Sequence, residues 1–183
     1  MGKQILFILG ICIVVGLAIN FVRPGGLPLV IDESMYSEEN SDKLKQQYEQ
    51  GQIKTQNIMQ NPNYDPKTGI VKPQNIKMDF AKLLHEKGAL FIDGRPKHEY
   101  DAGKIKGAIS IPYEEFMKIS TEDKRHFLSN IGKDDIIVVY CSGGECEISI
   151  DLAYEIARLG YTSLNIYRGG YKEWETAGYP VEK

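Results

Sequence analysis

Cys141 is the residue best placed to do chemistry. It ends a β-branched run, Ile136-Ile137-Val138-Val139-Tyr140, and Ser142, Gly143 and Gly144 follow it. The run reads as a short buried strand. Beyond the glycines, Ile148, Leu152, Ile156 and Leu159 recur at helical spacing, so a helix is expected to begin near Glu147. The layout is strand, cysteine, tight loop, helix N-terminus. Backbone N–H groups at a helix start carry partial positive charge, which favours a thiolate over a thiol. A thiolate is what a sulfur nucleophile requires. The competing reading is a buried cysteine that merely ends a strand, since free cysteine is among the most buried residue types.

The other candidate groups do not assemble into a recognisable site. The three cysteines are Cys12, Cys141 and Cys146, too few for a disulfide scaffold. Cys12 sits in an apolar run. Cys141 and Cys146 form a C-x4-C pair, but zinc needs two more ligands, and His85, His98 and His126 show no ligand spacing. No metal and no cofactor is expected. The formal net charge of −3 over 183 residues gives no support for nucleic-acid binding.

The elements that must position Cys141 begin near Ile70. Met78 to Leu84 suggests a helix ending at Gly88, with Asp79 as a cap or first-turn acid. Strands are expected at Ala89–Asp93, Gly107–Ile111, Ile136–Tyr140 and Ser163–Tyr167. Helices are expected at Glu114–Lys118, Thr121–Ser129, Glu147–Arg158 and around Trp174. Strands alternating with helices imply an α/β fold, a parallel sheet covered on both faces. In such sheets ligands bind at the carboxyl ends of strands, where Cys141 falls.

The N-terminal part reads differently. Ile5 to Val22 is apolar and uncharged, flanked by Lys3 and Arg23. As a helix it spans about 27 Å, enough for a bilayer core. A single-pass anchor at 5–22 is favoured over a cleaved signal segment, because the run is long and lacks a clean small-x-small site. The short N-terminal tail places the remainder outside the cytoplasm, on the periplasmic side if the source is bacterial. Residues 23–69 are largely polar and turn-rich. They are expected to be a linker that tethers the domain at 70–183, with partner docking as the alternative.

Four segments together resemble the rhodanese-like family. Phe91-Ile92-Asp93-Gly94-Arg95 is similar to its strand ending in Asp-x-Arg. Tyr100 to Ile109 is similar to its Tyr-x-x-Gly-His-Ile-x-Gly-Ala-Ile segment, with Lys104 at the His. Val139-Tyr140-Cys141 with Gly144 resembles its catalytic loop, and Leu164 to Pro180 its C-terminal signature. The resemblance implies a rhodanese fold and a sulfurtransferase. Cys141 would take sulfur from a sulfane-sulfur donor as a persulfide and pass it to a thiol or other nucleophilic acceptor. Ser142, Gly143, Gly144, Glu145, Cys146 and Glu147 would form the persulfide-binding loop, whose amides hold the terminal sulfur anion. Asp93 and Arg95 would brace that loop as an ion pair.

The departures from the family pattern are in the loop. A common Arg falls at Cys146, and the following Ser at Glu147. Carboxylates at Glu145 and Glu147, roughly 6–8 Å from the sulfur, each oppose an anionic donor by about 2 kcal/mol before screening. Thiosulfate, a dianion, is therefore expected to be a poor donor. Glu147 in place of a phosphate-binding Arg argues against a phosphatase or arsenate reductase. Cys146 opens an alternative function, a thiol-redox or sulfur-sensing module built on Cys141 and Cys146.

Overall fold

The computed structural model describes residues 37–51, 61–144 and 146–183, together with Val15. The anchor expected at 5–22, Val15 aside, and the side chain of Glu145 lie outside the described residues. Among the described residues no helix is long and apolar enough to cross a membrane.

The centre is a five-stranded sheet made of β3 (Gln74–Ile76), β4 (Leu90–Asp93), β6 (Ile109–Ser110), β7 (Ile137–Tyr140) and β8 (Leu164–Tyr167). Their order across the sheet is β3-β8-β7-β4-β6, and every neighbouring pair is parallel. Small antiparallel ladders join β1 (Tyr64–Asp65) to β2 (Ile70–Val71), and β5 (Lys104–Ile105) to β9 (Val181–Glu182).

The central strands are apolar without interruption because both faces of the sheet are covered. Ile137 and Val139 point to one core. There they meet Ile92 and Ile166, and Leu152, Ala153 and Ile156 of α6 (Ile148–Arg158). Val138 and Tyr140 point to the other. That core holds Phe91, Tyr167, Phe80 and Leu84 of α2 (Met78–Glu86), and Trp174 of α7 (Gly170–Thr176). The short helices α3 (Lys97–Ala102), α4 (Tyr113–Phe116) and α5 (Thr121–Phe127) fill the connections between β4 and β7. This is the expected α/β fold, a parallel sheet flanked by helices. Asp79 lies in the first turn of α2 but Lys77 is the cap residue, and no side chain caps the helix there.

The polar stretch 23–69 was expected to be a linker, yet its described residues fold against the domain. Ser41–Glu49 forms α1. Leu44 and Tyr48, one turn apart, pack on the core that contains Phe80, with the Tyr48 and Phe80 ring centroids 5.9 Å apart. Ser41 is fully buried and its Oγ accepts the Lys77 N–H at 2.9 Å. Asn75 Nδ2 donates to Ser37 O at 3.1 Å, and Lys45 and Lys77 pair with Asp79 and Asp42.

Candidate active site

The site is built at the carboxyl ends of β4 and β7. Their register sets Asp93 opposite Tyr140, which places Cys141 just beyond the sheet edge. Gly94 N–H donates to Tyr140 O at 2.9 Å, continuing the ladder up to the cysteine. Cys141 has no exposed surface. Its thiol lies 3.4 Å from Cys146 O and 3.5 Å from Ser149 Oγ, within reach as a weak donor to either. Ser149 is itself fully buried on α6.

The loop is tied to α7 by backbone. Cys141 O accepts the Tyr171 N–H at 2.8 Å and Ser142 O accepts the Lys172 N–H at 3.2 Å, both from the first turn of α7. Gly143 and Gly170 have φ of 100° and 64°, a region that glycine enters without steric cost. Both positions also lack room for a side chain, because the loop and the Gly169-Gly170 turn touch main chain to main chain.

Arg95 and Asp93 make the expected pair. Arg95 Nη2 lies 2.6 Å from Asp93 Oδ2, and Nε lies 3.0 and 3.1 Å from the two carboxylate oxygens. Both side chains are buried. Arg95 also donates to Gly103 O at 2.7 Å and lies 4.4 Å from the centre of the Tyr171 ring. The pair thus braces α7, and through Tyr171 the cysteine loop. Glu99 extends this network: its Oε2 accepts from Ser142 Oγ at 3.2 Å and stands 3.7 Å from Arg95 Nη1. Burial, and then the neighbouring Asp93 carboxylate, push the Tyr140 phenol far up, so it stays protonated; its oxygen accepts the Ile105 N–H at 3.1 Å.

Cys146 is closer to the chemistry than its spacing indicates. Its carbonyl stands 3.4 Å from the Cys141 sulfur. Burial first, and then the Cys141 sulfur, push the Cys146 thiol up to about 11. The backbone amides of Ile148 and Ser142 partly offset this rise. Glu147 is exposed at the start of α6 and raises the Asp151 carboxyl, after burial.

The structure therefore brings together Cys141, Ser142, Gly143, Cys146, Asp93 and Arg95. Gly144 and Glu147 lie on the outer side of the loop, both exposed. A groove of about 570 Å³ lies there, lined by Met78, Gly144, Gly169, Lys172, Glu173 and Thr176. Ser149, Glu99 and Tyr171 were not anticipated. Among the described residues no group of three or more His, Cys, Asp or Glu side chains is placed to hold a metal ion.

A buried cysteine on a glycine loop between a parallel strand and a helix defines an α/β domain of the cysteine-loop class. The family model of the rhodanese-like domain matches residues 77–177, more than half of the chain. The chain belongs to the rhodanese-like family. It is 30% identical over 115 residues to thiosulfate sulfurtransferase 16, chloroplastic, of Arabidopsis thaliana, covering 60% of this chain and 93% of that protein. It is 37% identical over 106 residues to an HTH-type transcriptional regulator of Mycobacterium tuberculosis, covering 56% of this chain. The match spans 43% of that regulator's length. Among solved structures, the BH2092 protein of Bacillus halodurans aligns with a TM-score of 0.50 at 25% identity, covering 59% of this chain and 75% of that one.

Proposed function

We propose that this protein is a sulfurtransferase that carries sulfane sulfur on Cys141. The observation that carries the reading is the cysteine itself, held at the carboxyl end of β7 by a loop clamped to α7 through backbone. The Arabidopsis relative, named a thiosulfate sulfurtransferase, supports the class. The Cys141 thiolate attacks the outer sulfur of a donor R–S–S⁻. A new S–S bond forms, the donor S–S bond breaks, and RS⁻ leaves with the electron pair. An acceptor thiolate then attacks the outer sulfur of Cys141–S–S⁻ and releases the Cys141 thiolate. The acidic loop favours a persulfide donor of low charge over thiosulfate. Because Cys141 is fully buried, the loop must open for the donor to enter.

We further propose that the 5–22 run anchors the domain to a membrane with residues 37–183 on the extracytoplasmic side. Carbonate extraction and protease protection of membranes from expressing cells test this. Release of the chain by carbonate, or protection of the domain in right-side-out vesicles, rejects it.

The test of the activity is the intact mass of the full-length protein after thiosulfate, polysulfide or glutathione persulfide. The expected result is a gain of one sulfur from the persulfide donors that Cys141→Ser abolishes. A Cys141→Ser variant that still gains that sulfur sinks the assignment. If no donor adds sulfur and a Cys141–Cys146 bridge forms, the thiol-redox reading takes its place, favoured by the Cys146 main chain lying 3.4 Å from the Cys141 sulfur.

A further inference from the structure

Two groups stand against the Cys141 sulfur, and they differ in what they can do for it. The Cys146 carbonyl oxygen is 3.4 Å from Sγ and the Ser149 hydroxyl is 3.5 Å from it. A carbonyl only accepts, so it serves the protonated thiol and opposes a sulfur anion. A hydroxyl accepts from the thiol, and it turns its own hydrogen towards the sulfur once the thiolate forms. Ser149 sits in the first turn of α6 and is fully buried. Among the described residues its side chain has no hydrogen-bond partner except the cysteine sulfur. A buried hydroxyl costs free energy unless it is bonded. This hydroxyl is thus placed on the reacting atom and on nothing else.

We infer that Ser149 is a catalytic residue whose hydroxyl donates a hydrogen bond to the Cys141 sulfur when that sulfur carries negative charge. The inference rests on the sulfurtransferase reading of Cys141. In the resting protein the thiol is the donor, to Cys146 O or to Ser149 Oγ. When the loop opens and the thiol loses its proton to water, the Ser149 O–H turns and donates to the thiolate. In loading, the thiolate attacks the outer sulfur of R–S–S⁻, and RS⁻ leaves with the electron pair of the broken S–S bond. In delivery, an acceptor thiolate attacks the outer sulfur of Cys141–S–S⁻. The bond from that sulfur to Cys141 breaks, and its electron pair returns to the Cys141 sulfur, where the Ser149 O–H meets it. The serine keeps its proton throughout, and no oxidant or reductant is consumed. The hydroxyl weighs differently on the two halves. A hydrogen-bonded thiolate is more abundant but less nucleophilic, so its two effects on loading partly cancel. It is also the better leaving group, so delivery takes the whole benefit.

The test uses the full-length protein, wild type, Ser149→Ala and Ser149→Thr, each shown to be folded by a cooperative urea transition. Loading by glutathione persulfide and single-turnover delivery to glutathione are timed from about pH 6 to about pH 10. The added sulfur is located by alkylation and tandem mass spectrometry of the tryptic peptide Asp134–Arg158. Ser149→Ala is expected to deliver at least about tenfold more slowly at saturating glutathione, by the same factor at every pH. Its loading deficit is smaller near neutral pH and closes as the pH rises, because both proteins then hold Cys141 as thiolate. Ser149→Thr, which keeps the hydroxyl, delivers within about threefold of the wild type. Delivery by Ser149→Ala at the wild-type rate overturns the assignment. A loading deficit that stays constant with pH also overturns it, since that is the mark of a displaced loop rather than a lost donor. Absence of added sulfur from Cys141 in the wild type overturns the sulfurtransferase reading itself, and the role of Ser149 with it.

Discussion

Gly143 and Gly170 meet main chain to main chain. A Cβ on Gly170 would stand 2.7 Å from Gly143 Cα and closer still to Gly143 N and Cys141 O. The Gly170 backbone is also left-handed, at φ 64°. Gly170→Ala is expected to cost about 1–2 kcal/mol from the left-handed backbone alone, with displacement of the cysteine loop in addition. Urea unfolding measures the first effect, and sulfur loading of Cys141 the second. An alanine variant as stable as the wild type removes the close approach from the account of the site.

The Asp93–Arg95 pair makes a different prediction, because both groups are buried. Asp93→Ala leaves a buried guanidinium without its carboxylate and is expected to cost about 3–5 kcal/mol. Replacing both, as Asp93→Leu with Arg95→Met, recovers part of that loss, since an apolar pair carries no desolvation penalty. A double-variant cycle in urea reads the coupling directly. Simple additivity means that the two residues do not act as a unit.

Cys146 sets a pH dependence. Its thiol is pushed up to about 11, from an ordinary value of about 8.5, so less of it is thiolate at any pH below that. Only the thiolate is alkylated. The rate of Cys146 modification by iodoacetamide is therefore expected to keep climbing about tenfold per pH unit through about pH 9.5, with no plateau. A plateau between about pH 8 and 9 contradicts the burial argument. Peptide mapping separates this residue from Cys141.

The residues upstream of the family match have a stability role of their own. Ser41→Ala removes the acceptor of the Lys77 N–H and is expected to cost about 0.5–1.5 kcal/mol. A chain that begins at residue 37 should likewise outlast one that begins at residue 61 in urea, because Leu44 and Tyr48 leave with the shorter form. Equal midpoints for the two truncations mean that α1 contributes nothing to the fold.

Much of this architecture is legible in the sequence. The run ending at Tyr140, the glycines after Cys141 and the apolar period from Ile148 specify strand, loop and helix by local physics, and the alternating elements specify a parallel sheet. Asp93 and Arg95 are recognisable as a pair through the resemblance of Phe91 to Arg95 to the family's strand ending in Asp-x-Arg. What local patterns cannot convey is distance in space. Ser149 is eight residues from Cys141 and belongs to no spacing rule, yet its hydroxyl comes within 3.5 Å of the sulfur. Helix α1 shows two large apolar side chains, Leu44 and Tyr48, in a polar stretch. That is too narrow a stripe to distinguish a docked helix from a tether. The approach of the Cys146 carbonyl to the Cys141 sulfur depends on loop conformation, which residue types alone do not fix.

The clamp on the cysteine loop has a consequence for how such a protein can diversify. Its two ties to α7 run from Cys141 O and Ser142 O to main-chain N–H groups, and the closest approach is between glycines. None of these contacts reads the side chains at positions 145, 146 and 147. The scaffold that places the sulfur is therefore uncoupled from the residues that set charge and reactivity around it. Those positions can be exchanged as a cassette, which lets one fold be retuned from anionic to neutral sulfur donors, or from a single thiol to a pair, without rebuilding what holds Cys141.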